Sequence, residues 1–176
     1  MSKGALPVLV GVGQAVSHWD GSQSPEDAPS PHSLNVEATR AALADAGVAA
    51  SEIEIILLAR TNDDCYPKPR RPHGANLNYP GTLADEIGAM PKELVYNISG
   101  GQSAQQSVNE AAARIHAGEA DCILLAGSEA TKASRAAERN SIEIDWSGAS
   151  EQPVIDRGVG FDVINQTEIA HGLYRP

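Results

Sequence analysis

The stretch from Leu94 to Glu129, LVYNISGGQSAQQSVNEAAARIHAGEADCILLAGSE, constrains the chain most, because two apolar runs enclose a glycine turn and a helix-period segment without a break. Leu94 to Ile98 is apolar and β-prone. Gly100 and Gly101 then give the backbone freedom to reverse into a helix opening near Gln102. Within that helix Ala104, Val108, Ala111, Ala112 and Ile115 recur at offsets that place them on one side at ~3.6 residues per turn. Ser103, Ser107 and Ala113 leave little bulk on the other sides, so a helix buried nearly all round is expected. Gly118 suits a left-handed cap, and Cys122 to Ala126 is a short apolar run of the kind found in buried parallel strands. The stretch reads as a βαβ unit.

These residues resemble a family. NISGGQSAQQSVNEAAARIHAGEADCILLAGSEA is similar to the thiolase and acyl-CoA condensing-enzyme pattern N-x-x-C-x-S-G, an alanine-rich helix, G-x-x-D, an apolar strand and A-G-G-x-E. Ala111, Ala112, Ile115, Gly118, Asp121, Ala126, Gly127 and Glu129 have counterparts in that pattern. The nucleophilic cysteine does not: registering on Asn97 sets Gly100 opposite it, and registering on the alanine pair sets Gly101 there. The resemblance is therefore to the thiolase-like branch that lacks this cysteine. It implies a layered αβα fold with a mostly parallel sheet, and covers the N-terminal half of a duplicated architecture. The half that carries the family's histidine and second cysteine motifs is not in the sequence.

A chain of 176 residues with 41% hydrophobic content is long enough for one domain with a sizeable core. The formal charge of −10 argues against a grip on a nucleic-acid backbone, which needs a basic face. It leaves room for coenzyme A through a small local basic patch. Cys65 and Cys122 form neither a disulfide framework nor a zinc motif, and a reducing cytoplasmic setting is expected. No segment approaches a membrane-spanning length, and Met1 to Gly13 has no secretory leader pattern.

Taken in order, Pro7 to Val12 is a fully apolar run expected to be a central buried strand. Gly11-Val12-Gly13 invites a dinucleotide reading, but Val16 stands where a third glycine would fall and a turn-rich segment follows, so a tight strand exit is preferred. Ser33 is placed as the N-cap of a helix over Leu34 to Ala46, ended by Gly47, with Val36 and Leu43 inward. Ile53 to Ala59 is the next strand, and Thr82 to Ile87 a short helix closed by Gly88.

Arg60 to Tyr79 is rich in proline, glycine and polar residues and reads as a long loop. Its Lys68, Arg70, Arg71 and His73 form the basic cluster of an acidic chain: a solvated loop, or a contact for an anion or acidic partner. Asp63, Asp64, Cys65 and His73 do not have a paired metal-ligand spacing, so no metal site is expected. Beyond Glu129, Thr131 to Arg139 has helical potential and the rest is irregular. The resulting division is a thiolase-like α/β unit over 1–130 and the beginning of a loop domain over 131–176.

A thiolase-type reaction needs a nucleophile, a base and an oxyanion site. Gly100, Gly101 and Gln102, at a helix N-terminus, offer backbone N–H groups to an anion or carbonyl oxygen and are the substrate-binding candidates. Ser103 is the catalytic candidate by position, although His116 lies roughly 20 Å further along the helix at ~1.5 Å per residue. Helix capping or close packing is the competing role for Ser103. A serine hydrolase is a different option: Gly101-Gln102-Ser103-Ala104-Gln105 departs from the G-x-S-x-G elbow only at Gln105, and Asp156 or Asp162 and His171 follow in the required order.

The resemblance implies acyl-CoA as substrate or ligand, no tightly bound cofactor, and C–C condensation or thiolysis of the acetyl-CoA acetyltransferase type, in lipid metabolism. The missing cysteine sets beside it a non-catalytic acyl-CoA-binding or partner subunit. It also implies a homodimer, or pairing with a related thiolase-like subunit, through Leu94 to Ile98 at a sheet edge.

Overall fold

The computed structural model describes residues 4–65 and 71–158. Its centre is β1, Ile55–Leu58, whose four aliphatic side chains are all buried. A run that is apolar at every position suits a strand covered on both faces. β1 pairs in parallel with β2, Glu93–Tyr96, in the register Ile55 to Glu93. On its other side it pairs in parallel with β3, Ile123–Ala126, in the register Ile55 to Ile123. A two-residue strand β4, Ile155–Asp156, adds to β2, giving the order β3-β1-β2-β4 with every pairing parallel.

Helices cover both faces. Alternation along the strands sends Ile56, Leu58, Leu94 and Tyr96 toward Val36 of α1, Pro31–Ala46, and Leu83 and Ala84 of α2, Tyr79–Ile87. Ile55, Leu57 and Val95 point the other way, toward Ala111 of α3, Ser103–Ala117. The result is the layered αβα arrangement expected from the sequence. α4, Thr131–Asn140, packs Ala133, Ala136 and Ala137 against buried Trp19, with Ile142 and Ile144 beside them. No described helix is long and apolar enough to cross a membrane.

Local chemistry explains the helix ends. Ser30, not Ser33, is the N-cap of α1: its side chain accepts from the Ser33 N–H while the Ser33 hydroxyl accepts from the Ser30 N–H, a reciprocal capping box. Pro31 occupies the first helical position, where its missing N–H costs nothing. α2 starts three residues before the expected Thr82 because the Asn78 side chain accepts from the Gly81 N–H. Gly47, Gly88 and Gly118 end α1, α2 and α3 in left-handed caps, as anticipated.

Three further expectations are corrected. Pro7 to Val12 is extended but is not a strand of the sheet, and Val8, Leu9, Val10 and Val12 are 66%, 82%, 59% and 64% exposed. Apolar, β-prone residues become a strand only where a neighbour supplies ladder hydrogen bonds, and this run instead lies against α1. There, a Cβ on Gly11 or Gly13 would collide with the carbonyl oxygens of Ala42 and Ala38. α3 is not buried all round: the sheet covers Ser103, Ser107 and Ala111, whereas Ala104 and Val108 of the expected inner face are exposed. The strand over Leu94 to Ile98 is not an edge, because β4 covers β2 on its outer side.

The difference between the two apolar runs is measurable. Leu57→Ala, at 1% exposure, should cost ~2–5 kcal/mol in urea unfolding, and Leu9→Ala no more than ~0.5 kcal/mol. Equal losses would restore Pro7 to Val12 to the core.

Candidate functional site

Because β1, β2 and β3 are parallel, their carboxyl ends meet on one side of the sheet, the place where open parallel sheets bind ligands. The segments leaving them, together with the first turns of α3, enclose a chamber of about 660 Å³. Gly100, Gly101 and Ser103 line it with Arg60, Ser128 and Glu129. Gln102 is the N-cap position of α3, directly beside them, and makes no side-chain cap. Three of the four site residues anticipated from the sequence are thus brought to one wall, with Gln102 at its rim.

The turn is fixed by buried polar side chains. Asn97 is fully buried, its Nδ2 donates to Ser107 Oγ at 2.9 Å, and its Oδ1 accepts from the Ile98 N–H at 2.9 Å. Ser107 Oγ donates to the Ser103 carbonyl at 2.9 Å, and Ser103 Oγ donates to the Gly100 carbonyl at 2.8 Å. Gly100 has φ +135°, where an L side chain is strained, and a Cβ there would also meet the Gln102 side chain at 2.8 Å. A strand, a glycine reversal and a helix start are thereby locked together, with the positive end of the α3 dipole toward the chamber.

Ser103 is held as a structural hydroxyl. Among the described histidines, His116 meets the Ala5 carbonyl oxygen, His32 meets Thr82 Oγ1 and His73 meets Ser134 Oγ, while His18 is exposed. None of these contacts presents a base to Ser103 Oγ. Asp156, an acid anticipated for a serine hydrolase, is paired with Arg60 and accepts from the Gly158 N–H. The alternatives Asp162 and His171 lie outside the described residues.

The opposite wall was not read from the sequence. The Arg60 side chain is 6% exposed, stands 4.0 Å from the Tyr96 ring centroid and has its Nε without a partner among the described residues. Tyr96 Oη donates to Asp64 Oδ2 at 2.7 Å, and Arg71 Nε donates to Asp64 Oδ1 at 2.8 Å. Of the anticipated basic cluster, Arg71 is therefore spent on Asp64 and His73 is buried; Lys68 and Arg70 lie outside the described residues. Glu129 Oε1 accepts from the Asn62 N–H at 2.8 Å, and desolvation, reinforced by the Asp63 charge, pushes its carboxyl above the ordinary range. The sequence signal for this wall was slight: one arginine and one tyrosine at the ends of apolar runs.

Neither cysteine is poised as a nucleophile. Cys65 is buried, its Sγ donates to the Thr61 carbonyl at 2.6 Å, and burial pushes its thiol up. Cys122 precedes β3, at the opposite end of the sheet, and burial raises it too. A second cleft of about 740 Å³ beside α1 is rimmed by Glu37, Asp85, Glu86 and Asp145, a setting that repels anions. Since a raised pKa lowers the thiolate fraction, both cysteines should react with iodoacetamide at pH 8 on the order of tenfold more slowly in the folded chain than in urea. The rates should climb as pH rises further. A fast-reacting thiol in the folded chain at neutral pH would show that a nucleophile had been misplaced.

Comparisons with known proteins agree with this geometry. No family profile matches the sequence. A β-ketoacyl-[acyl-carrier-protein] synthase III of Bordetella petrii is 32% identical over 132 residues, 74% of this chain and 34% of that protein. The crystal structure of a monomeric SCP2-thiolase-like protein type 1 from Mycobacterium smegmatis superposes with a TM-score of 0.52 and 32% identity, over 68% of this chain and 22% of that one. An acetyl-CoA acetyltransferase from Syntrophomonas wolfei shares the fold, with a TM-score of 0.51 and 18% identity over 67% of this chain and 27% of its own. The chain thus spans about a third or less of the length of these proteins. With its parallel, helix-covered sheet and these matches, the chain is thiolase-like over about two thirds of its residues.

Proposed function

We propose that the chain binds an acyl-CoA thioester at the carboxyl ends of β1 to β3, as the ligand-holding part of a thiolase-fold acyltransferase. The observation that carries this reading is the chamber itself: a glycine reversal and a helix start face it across a wall bearing Arg60. The thioester oxygen would lie toward Gly100, Gly101 and Gln102, where backbone N–H groups and the helix dipole favour partial negative charge. Arg60, paired with Asp156, brings positive charge to the chamber wall. The names of the similar proteins, a ketoacyl synthase and an acetyl-CoA acetyltransferase, support an acyl thioester as ligand and C–C condensation or thiolysis as the associated chemistry.

Within that reading the 176-residue chain holds substrate and does not complete the reaction. Ser103 is the hydroxyl nearest the proposed thioester, but it donates to Gly100 O and has no histidine bonded to it among the described residues. A serine without a base is a weak nucleophile. This favours the non-catalytic alternative, an acyl-CoA-binding or partner subunit, over a self-sufficient enzyme. The division into a 1–130 unit and a 131–176 segment belongs to the same reading, as does pairing with a copy or a related subunit. The two free thiols support a reducing, cytoplasmic setting.

The test is to incubate the chain with acetyl-CoA, record its intact mass, and assay acetoacetyl-CoA thiolysis. We expect saturable binding, no covalent acetyl group and no turnover, with Ser103→Ala leaving binding within about threefold. Turnover abolished by Ser103→Ala would overturn the non-catalytic reading and make Ser103 the nucleophile. No binding at millimolar acetyl-CoA would overturn the acyl-CoA reading altogether.

A further inference from the structure

Two consecutive residues at the end of β4 reach opposite faces of the sheet. Asp156 stands in register with Tyr96 and pairs with Arg60, the cation of the chamber. Arg157 continues the ladder, its N–H donating to the Tyr96 carbonyl at 3.0 Å, and alternation turns its side chain to the face that α3 covers. There its Nη1 and Nη2 donate to Glu110 Oε2 at 2.6 Å and Oε1 at 2.7 Å, a bidentate pair that fixes the guanidinium plane. Nη1 also donates to Asn97 Oδ1 at 3.3 Å.

That third contact falls on the amide that locks the glycine reversal. A guanidinium donates and never accepts, so it meets the oxygen end of an amide. The Ile98 N–H donates to the same Oδ1 at 2.9 Å, and two donors converging on one atom leave Nδ2 to face Ser107. Ser107 Oγ then accepts from Asn97 and gives its own proton to the Ser103 carbonyl. Asn97 is fully buried, so these bonds have little competition from water. They fix the first turn of α3, where the Ser103 N–H and hydroxyl donate to the Gly100 carbonyl at 3.0 Å and 2.8 Å. A Gly100 carbonyl held in this way is turned into the helix start. Turned to the chamber instead, it would set oxygen against the oxygen of a thioester, where donors are needed.

We propose that Arg157 is a positioning residue for the thioester site: it fixes the Asn97 amide so that Ser107 and Ser103 keep the Gly100 carbonyl away from the ligand. For its ligand this inference rests on the acyl-CoA reading; the chain of bonds from Arg157 to Gly100 does not. Arg114, one turn beyond Glu110 on α3, is the internal contrast. It too makes a bidentate pair, with Glu93 at 2.6 Å and 2.8 Å, and its other bond goes to Glu119 rather than to Asn97. Both arginines tie α3 to the sheet, and Arg157 also touches the amide behind the turn. Comparing them separates positioning from stability.

The test measures amide hydrogen exchange in the full 176-residue chain without ligand, and then its affinity for acetyl-CoA. Arg157→Ala should speed exchange of the Ile98 and Ser103 amides about tenfold and leave residues 55–58 within about twofold. Arg157→Lys, which keeps the charge but not the planar fork, should speed the same two amides about threefold. Arg114→Ala should leave them within about twofold. Acetyl-CoA should bind Arg157→Ala about tenfold more weakly than the unaltered chain, and Arg114→Ala equally well. Unchanged exchange of Ile98 and Ser103 in Arg157→Ala, equal acceleration along the whole chain, or the same acceleration in Arg114→Ala would overturn the proposal. So would an unaltered acetyl-CoA affinity in Arg157→Ala. Should circular dichroism show that Arg157→Ala does not fold, Arg157→Lys carries the comparison, and unchanged exchange there overturns the proposal. Failure of the unaltered chain to bind acetyl-CoA would instead overturn the acyl-CoA reading, with the ligand-free exchange rates still deciding whether Arg157 fixes the turn.

Discussion

The structure depends on the double-sided burial of β1. Ile55 and Leu57 pack against α3, Ile56 and Leu58 against α1 and α2, and the strand has a parallel neighbour on each side. Parallel pairing forces each crossover to return through a helix, and those helices cover the faces. The same geometry gathers the carboxyl ends of three strands at one place. Chamber, glycine reversal and helix start are consequences of how β1 is buried.

Legibility followed periodicity. β1, β2 and β3 were readable as short apolar runs, and α1 to α3 from their spacing and from the glycines that stop them, because each signal is local. Pro7 to Val12 carried the same local signal and failed, since strand formation also requires a hydrogen-bonding neighbour, which a run of apolar letters does not encode. The α3 stripe was misassigned for a related reason. Periodicity locates an apolar face but not what it meets, and Val108 and Ala112 line an open cleft beside β3.

The site was half legible. Gly100, Gly101 and Ser103 stood out because a strand, two glycines and a helix start are contiguous in sequence. Asn97 and Ser107 lie within the same stretch, but the bond between them forms only once the strand and the helix are folded together. Arg60, Tyr96 and Asp64 come from separate segments and meet only in the fold. That assembly matters chemically: the chamber combines an oxyanion-type turn with one buried cation, while its serine and the nearby cysteine donate to backbone carbonyls. It is built to hold a polar oxygen more than to attack one.

The central claim, that the carboxyl ends of β1 to β3 hold an acyl thioester, is tested most directly by titrating the isotope-labelled chain with acetyl-CoA and following its backbone amide resonances. The account predicts that the largest shifts fall on residues 97–104 and 127–129 and saturate together. Shifts confined to the carboxylate-rimmed cleft beside α1, with residues 97–104 unmoved, would contradict it.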